Sequence, residues 1–376
     1  MNDISIALIM SILIFIASLI SIQAALSVTI IEIAMGIIGG NFLGLHSTPW
    51  IDFLAGFASI LLTFLAGAEV DTDLMKKKFK ESMLIGGFSF LIPFLGAFAY
   101  TYYIAGWSFQ AAEIAGAALS TTSLAVVYAV LVETGLTNTE TGKILMAACF
   151  VTDLGTALAL SILFAEFSLF TLLFIIGSAL IIIFIPRIFT YIFNQYGDKV
   201  IEPEIKLIFL VLFLLMYLAQ LGASHAVLPA FILGLVVSKI FRQNPAIPRK
   251  LRVISFSMLT PFFFMKAGMN VSLSAIYLNL GLLFMLFMVK IIAKGIGVFP
   301  LAYKYVRPDA TYITLLMSTG LTFGTISSMY GLSAGIIDKT QFSLLVTAVV
   351  LSAIIPTIIA QRWFDPRRHM ESREDA

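Results

Sequence analysis

The chain is a succession of long, uninterrupted apolar runs, and this feature restricts its fold more than any other. A helix needs about 20 apolar residues to cross the hydrocarbon layer. Lipid offers the backbone no hydrogen bonds, so only helices or a closed barrel can span it. The runs lack the residue-by-residue alternation of barrel strands, which predicts an all-α polytopic membrane protein. Thirteen transmembrane helices are expected, at 4–21, 24–41, 50–69, 81–104, 111–134, 141–164, 168–187, 204–221, 224–241, 250–272, 277–303, 308–333 and 340–364. Composition agrees: 60% of residues are hydrophobic and 12% charged, against about a quarter charged in soluble domains. The acidic start Met1-Asn2-Asp3 is unlike a secretory signal, so the first run is read as a span. The lone Cys149 excludes an internal disulfide or a Cys-based metal cluster, and a net charge of +2 excludes a nucleic-acid binder.

Orientation follows from basic residues in the short loops. An N-out, C-in arrangement puts 19 Lys and Arg on the cytoplasmic side and only Lys339 outside; Lys266, Lys290 and Lys294 lie within spans.

Small polar residues interrupt two spans, Ser120-Thr121-Thr122-Ser123 in the fifth and Ser318-Thr319-Gly320 in the twelfth. Placing Ser120 on Ser318 sets an offset of 198, and that offset lays six spans on six others without a gap. The odd span 168–187 sits between the copies, so the second enters from the opposite side. Two inverted six-helix repeats with two broken crossing helices are expected, a transporter architecture with the substrate near the midplane at the breaks. Polar tetrads also arise as plain helix–helix contacts; the shared offset is what favours a paired break.

A charge in the bilayer centre is expensive enough to be a functional candidate by default. Asp153 lies mid-span, and its repeat counterpart is Leu351, so the acid exists once, as a single cation or proton site requires. The alternative is a structural hydrogen bond between helices. Lys294 has Lys290 one turn earlier on the same face, and snorkelling to the interface competes with a functional role for Lys294 and for Lys266. Glu32, mid-span in the second helix, joins Lys266 and Lys290 as a secondary candidate. Glu69, Asp71, Asp73 and Glu113 are read as solvated charges at span ends, His225 as an outer-loop residue, and Cys149 as core. Gly36 and Gly40 suit close helix packing or a dimer face.

Several pieces in order resemble the monovalent cation:proton antiporter-2 family: Phe64-Leu65-Ala66-Gly67-Ala68-Glu69-Val70-Asp71, Leu119 to Val127, Thr152-Asp153, Phe262-Phe263-Phe264 with Gly268-Met269, and Lys294-Gly295. The resemblance implies a homodimer. It assigns 1–70 and 204–272 to a dimer domain, 80–165 and 277–364 to a moving core transport domain, 168–187 to a linker helix and 365–376 to a cytoplasmic tail. It also implies that Lys294 compensates charge at the site. Thr152 departs from the pattern, standing where electrogenic relatives carry the first of two adjacent acids, the one that pairs with the lysine. Lys294 must then find another partner, either Asp153 or the carbonyl ends of the broken helices. Regulated potassium-efflux relatives add a cytoplasmic nucleotide-binding domain, and control of that kind is not expected here.

The expected activity is secondary active antiport of a monovalent cation against H⁺ in the cell membrane, Na⁺ before K⁺, by alternating access. Both ions compete for Asp153, with Thr152, Thr121, Thr122 and Ser123 as further ligands and Ser318, Thr319 and Gly320 as the partner break. One titrating carboxylate predicts electroneutral exchange. No cofactor and no nucleic-acid partner are expected. The competing readings are a sodium-coupled symporter of an organic anion, anchored on Lys266 or Lys290, and a channel-like efflux pathway. An intramembrane enzyme is not expected, since no HExxH or GxSxG motif is present.

Overall fold

The computed structural model describes residues 2–24, 27–70, 78–137, 139–163, 169–196, 199, 201–222, 226–364 and 366. Among them the regular structure is entirely helical, and helix occupies each of the thirteen expected segments. The chain runs α1 (Asp3–Ala24), α2 (Val28–Phe42), α3 (Pro49–Ala68), α4 (Phe79–Ala99), α5 (Phe109–Ser120), α6 (Leu124–Glu133), α7 (Glu140–Leu163), α8 (Leu169–Tyr196) and α9 (Pro203–Leu221). It continues through α10 (Val227–Gln243), α11 (Ala246–Ile254), α12 (Thr260–Met269), α13 (Leu273–Leu278), α14 (Leu280–Tyr305), α15 (Ala310–Met317), α16 (Thr322–Ser333) and α17 (Lys339–Trp363). Wide π turns extend α4 over Tyr100–Ile104 and join α11 to α12 over Ser255–Leu259. Nine helical segments among the described residues are long and apolar enough to cross a membrane.

Helix ends follow local chemistry. Pro49 and Pro203 sit in the first turns of α3 and α9, where no intrahelical N–H is required. Asp338 and Gln341 form a reciprocal capping box at the start of α17.

The chain divides into two compact units, one of residues 1–46, 73–156 and 267–376 and the other of 47–72 and 157–266. Helices α1 and α2 therefore group with the helices of the two breaks, whereas the sequence-based division places them with α3. In the first unit the broken segment Phe109–Leu131 is the enclosed one, 78% buried, and α1 the peripheral one at 22%. In the second, α3 is 67% buried and α8 only 17%.

Glycine sets the closest approaches. In the second unit, a Cβ on Gly67 of α3 would lie 2.1 Å from the Phe231 carbonyl of α10, and one on Gly234 the same distance from the Phe64 carbonyl. In the first unit, a Cβ on Gly268 of α12 would lie 2.1 Å from the Ile33 carbonyl and 2.8 Å from Gly36 Cα in α2. Ile33 and Gly36 are the 198-residue counterparts of Phe231 and Gly234, so each unit has a close glycine crossing at positions related by that offset. Gly40 packs against Met269 in the same way, so the Gly36/Gly40 pair serves packing within the chain.

Candidate functional site

Both interrupted spans are broken where the sequence places the polar residues. Helix α5 ends at Ser120, Thr121 is extended, and α6 resumes at Leu124. Helix α15 ends at Met317, one residue short of the counterpart of Ser120, and α16 resumes at Thr322, 198 residues after Leu124. A helix ending in a dry interior leaves carbonyls without partners. The hydroxyls of the breaks fill that need: Ser120 Oγ donates to the Ala117 carbonyl at 3.0 Å and Thr121 Oγ1 to Ala118 at 3.0 Å. At the second break Ser318 Oγ donates to Thr314 and Thr319 Oγ1 to Leu316, both at 2.7 Å, in addition to the N–H bonds those carbonyls accept from the same two residues. This is why small hydroxylated residues, and not charges, occupy these positions.

The two breaks are bonded to each other. The Ser123 N–H donates to the Thr319 carbonyl at 3.0 Å, and Thr122 Oγ1 donates to the Met317 carbonyl at 2.8 Å. Ser120, Thr121, Thr122, Ser123, Ser318 and Thr319 are all buried.

Three further helices bring side chains to this crossing. Helix α4 packs on α7 through Gly86, whose Cβ would meet the Ala148 carbonyl at 2.6 Å, and on α14 through the Phe88 carbonyl, 2.6 Å from a Cβ on Gly297. Ser89 directly follows Phe88 and is buried. Lys294 Nζ on α14 donates to Ser89 Oγ and to Thr122 Oγ1, each at 2.9 Å. Lys294 is wholly buried, so it does not snorkel; it links α4, α14 and the first break. Asp153 on α7 is 3% exposed, and its Oδ1 is buried with no hydrogen-bond partner among the described residues. The charges of Asp153 and Lys294 act on each other. The Lys294 amino group is therefore held by two hydroxyls, while the Asp153 carboxyl group keeps an unmatched oxygen.

The remaining candidates divide. The hydroxyl of Thr152 is turned to its own helix, donating to the Cys149 carbonyl at 2.6 Å. Lys290 is wholly buried and reaches the Thr121 carbonyl at 3.4 Å. Lys266 is bound to Asp52 at 2.8 Å. Glu32 is buried in α2. Glu69 pairs with Arg252 at 2.8 Å. Glu113, expected to be solvated, is buried, because every residue of α5 from Ala111 to Ser120 is enclosed by neighbouring helices. Cys149 is core, as expected, with Sγ 3.9 Å from Met317 Sδ. Asp71, Asp73 and His225 lie outside the described residues, as does the 365–376 tail apart from Pro366. Sequence alone does not single out Ser89; its one signal is a hydroxyl among Phe88, Phe90 and other apolar neighbours.

The family model described as sodium/hydrogen exchanger, transmembrane, matches residues 5–365. The probable Na⁺/H⁺ antiporter 3 of Methanocaldococcus jannaschii is 28% identical over 361 residues, covering 92% of this chain and 91% of that protein. The Na⁺/H⁺ antiporter of Enterococcus hirae is 27% identical over 328 residues, covering 80% and 81%. The solved structure of the sodium proton antiporter MjNhaP1 from Methanocaldococcus jannaschii at pH 8 matches with a TM-score of 0.73 at 17% identity, over 97% of this chain and 100% of that one, and shares the fold. The chain belongs to the transmembrane sodium/hydrogen exchanger family.

Proposed function

We propose that the protein is a sodium/proton antiporter of the cell membrane in which Na⁺ and H⁺ take turns on Asp153. The observation that carries this reading is the buried Asp153 Oδ1 without a hydrogen-bond partner among the described residues, in electrostatic reach of Lys294. A buried carboxylate left unmatched is costly, and either a proton or a hard monovalent cation relieves that cost. It does not hold both well, and such competition is the minimal requirement for exchange. Lys294, fixed by Ser89 and Thr122, is placed to bias that contest through its own charge state. The hydroxyl of Thr121 and the oxygens of Thr122 and Ser123 replace part of the ion's hydration shell, and the half-helix ends facing the breaks orient their dipoles there. One carboxylate handing over one proton per cation makes the exchange electroneutral. Sodium is preferred to potassium on the names of the relatives, since oxygen ligands alone do not separate the two ions.

The repeat and the orientation belong to the same proposal. The α2–α12 and α3–α10 contacts, equivalent at an offset of 198, support two copies of opposite orientation. The ion pairs Lys78–Glu140, Lys250–Glu202 and Arg252–Glu69 join loops read as cytoplasmic, and Lys266–Asp52 joins two positions read as external. The homodimer, with 1–70 and 204–272 as its dimer domain and 80–165 and 277–364 as the moving core, rests on the resemblance alone. An organic-anion symporter would need a cationic anchor, and one of the two expected anchors, Lys266, is engaged by Asp52.

The test is Asp153→Asn in proteoliposomes, with Na⁺ flux driven by a pH step. Flux is expected to vanish while the protein remains monodisperse and helical. Exchange that persists in this variant ends the proposal.

A further inference from the structure

The exchange cycle above leaves Lys290 without a task, yet its setting is built. Its side chain is wholly buried, and its one hydrogen bond among the described residues is the 3.4 Å contact to the Thr121 carbonyl. An ammonium carries three donors, and an intramembrane charge with so little pairing is a functional candidate by default. Room for it comes from the other break: a Cβ on Gly320 would lie 2.1 Å from Lys290 Nζ and 2.8 Å from Thr121 Oγ1. The first break thus supplies the oxygen and the second supplies the space. Thr121 is extended at the end of α5, so its carbonyl is the kind of freed oxygen an alkali cation would use.

We propose that Lys290 is a specificity-determining residue of the exchanger: its ammonium is a tethered monovalent cation on the Thr121 carbonyl, denying that oxygen to a second transported ion and confining loading to one cation per cycle. This rests on exchange at Asp153. An ammonium and Na⁺ carry the same charge and seek the same oxygens, so the seat is occupied by the chain itself.

The experiment measures radiolabelled Na⁺ uptake into proteoliposomes of the full chain, driven by a pH step, with and without an imposed membrane potential. Wild-type uptake should ignore the potential. Lys290→Met removes the charge and keeps the apolar stem; it should lower the apparent KM for Na⁺ by about tenfold, as expected when a nearby like charge is removed, and add uptake that follows the potential. Lys290→Arg should restore both properties toward wild type. Lys290→Gln is the second neutral variant if Lys290→Met does not fold. Unchanged KM and potential response in a folded neutral variant overturn the proposal. So does failure of both neutral variants to fold while Lys290→Arg folds, which would make the residue structural. Exchange surviving Asp153→Asn would overturn the Asp153 reading itself, whereas its loss there alongside wild-type behaviour of Lys290→Met overturns only the role of Lys290.

Discussion

Thr122 is the hinge between charge and scaffold, and its removal has a calculable consequence. Its hydroxyl accepts from Lys294 Nζ at 2.9 Å and donates to the Met317 carbonyl at 2.8 Å, so Thr122→Val deletes two bonds without changing volume. In water-soluble proteins a neutral bond contributes about 1 kcal/mol and a charge-assisted one about 1.5–3. Inside bilayers measured side-chain bonds average about 0.6 kcal/mol and reach about 1.7, which puts the pair at about 1–3 kcal/mol. At roughly 2 °C per kcal/mol for a chain of this size, Tm should fall by about 2–6 °C. Thr122→Ser keeps both bonds and should stay within about 1 °C of wild type. Ser89→Ala deletes only the other Lys294 bond and should fall between them. Fluorescence-detected thermal unfolding in detergent, at one fixed heating rate because such unfolding is commonly irreversible, ranks the three. If Thr122→Val melts with the wild type, or Thr122→Ser loses as much as Thr122→Val, the hydroxyl is not the link argued here.

Two other predictions concern packing and charge. Gly67→Ala and Gly234→Ala each crowd the α3–α10 crossing, where the new Cβ meets a carbonyl at 2.1 Å, so each should cost about 1–3 kcal/mol. Because they strain one crossing, the double variant should lose less Tm than the two losses summed; additive losses would contradict a shared contact. Thr152→Asp adds a second acid beside Asp153 and should make Na⁺ uptake follow an imposed potential. One net charge per cycle across 100 mV corresponds to about 2.3 kcal/mol, or about a 50-fold gradient. Uptake that still ignores the potential would remove Thr152 as the basis for electroneutral exchange.

The breaks are legible in the residues because a helix that stops in a dry interior must bring its own donors, and Ser120-Thr121-Thr122-Ser123 and Ser318-Thr319-Gly320 announce that need directly. Asp153 and Lys294 are legible because charge is scarce in a hydrocarbon environment. What the pattern of residue types leaves open is partnership. Ser89 carries no charge and is distinguished only by the bond it accepts from Lys294. The fate of the Thr152 hydroxyl depends on whether it bonds its own helix or the site, and it bonds the Cys149 carbonyl. Glu113 misleads because position near a span end suggests water, whereas exposure is decided by the helices packed around α5. Gly36 and Gly40 are visible as a spacing, but only the path of α12 supplies the surface they fit.

The Ser123–Thr319 and Thr122–Met317 bonds splice the two interrupted helices into a single mechanical part. Sliding, tilting or unwinding of one against the other would break both bonds. An ion seated there would be ferried by displacement of the whole crossing, and its coordination would travel with it intact. On the proposed mechanism, selectivity would rest with residues of the crossing and the rate of movement with residues elsewhere.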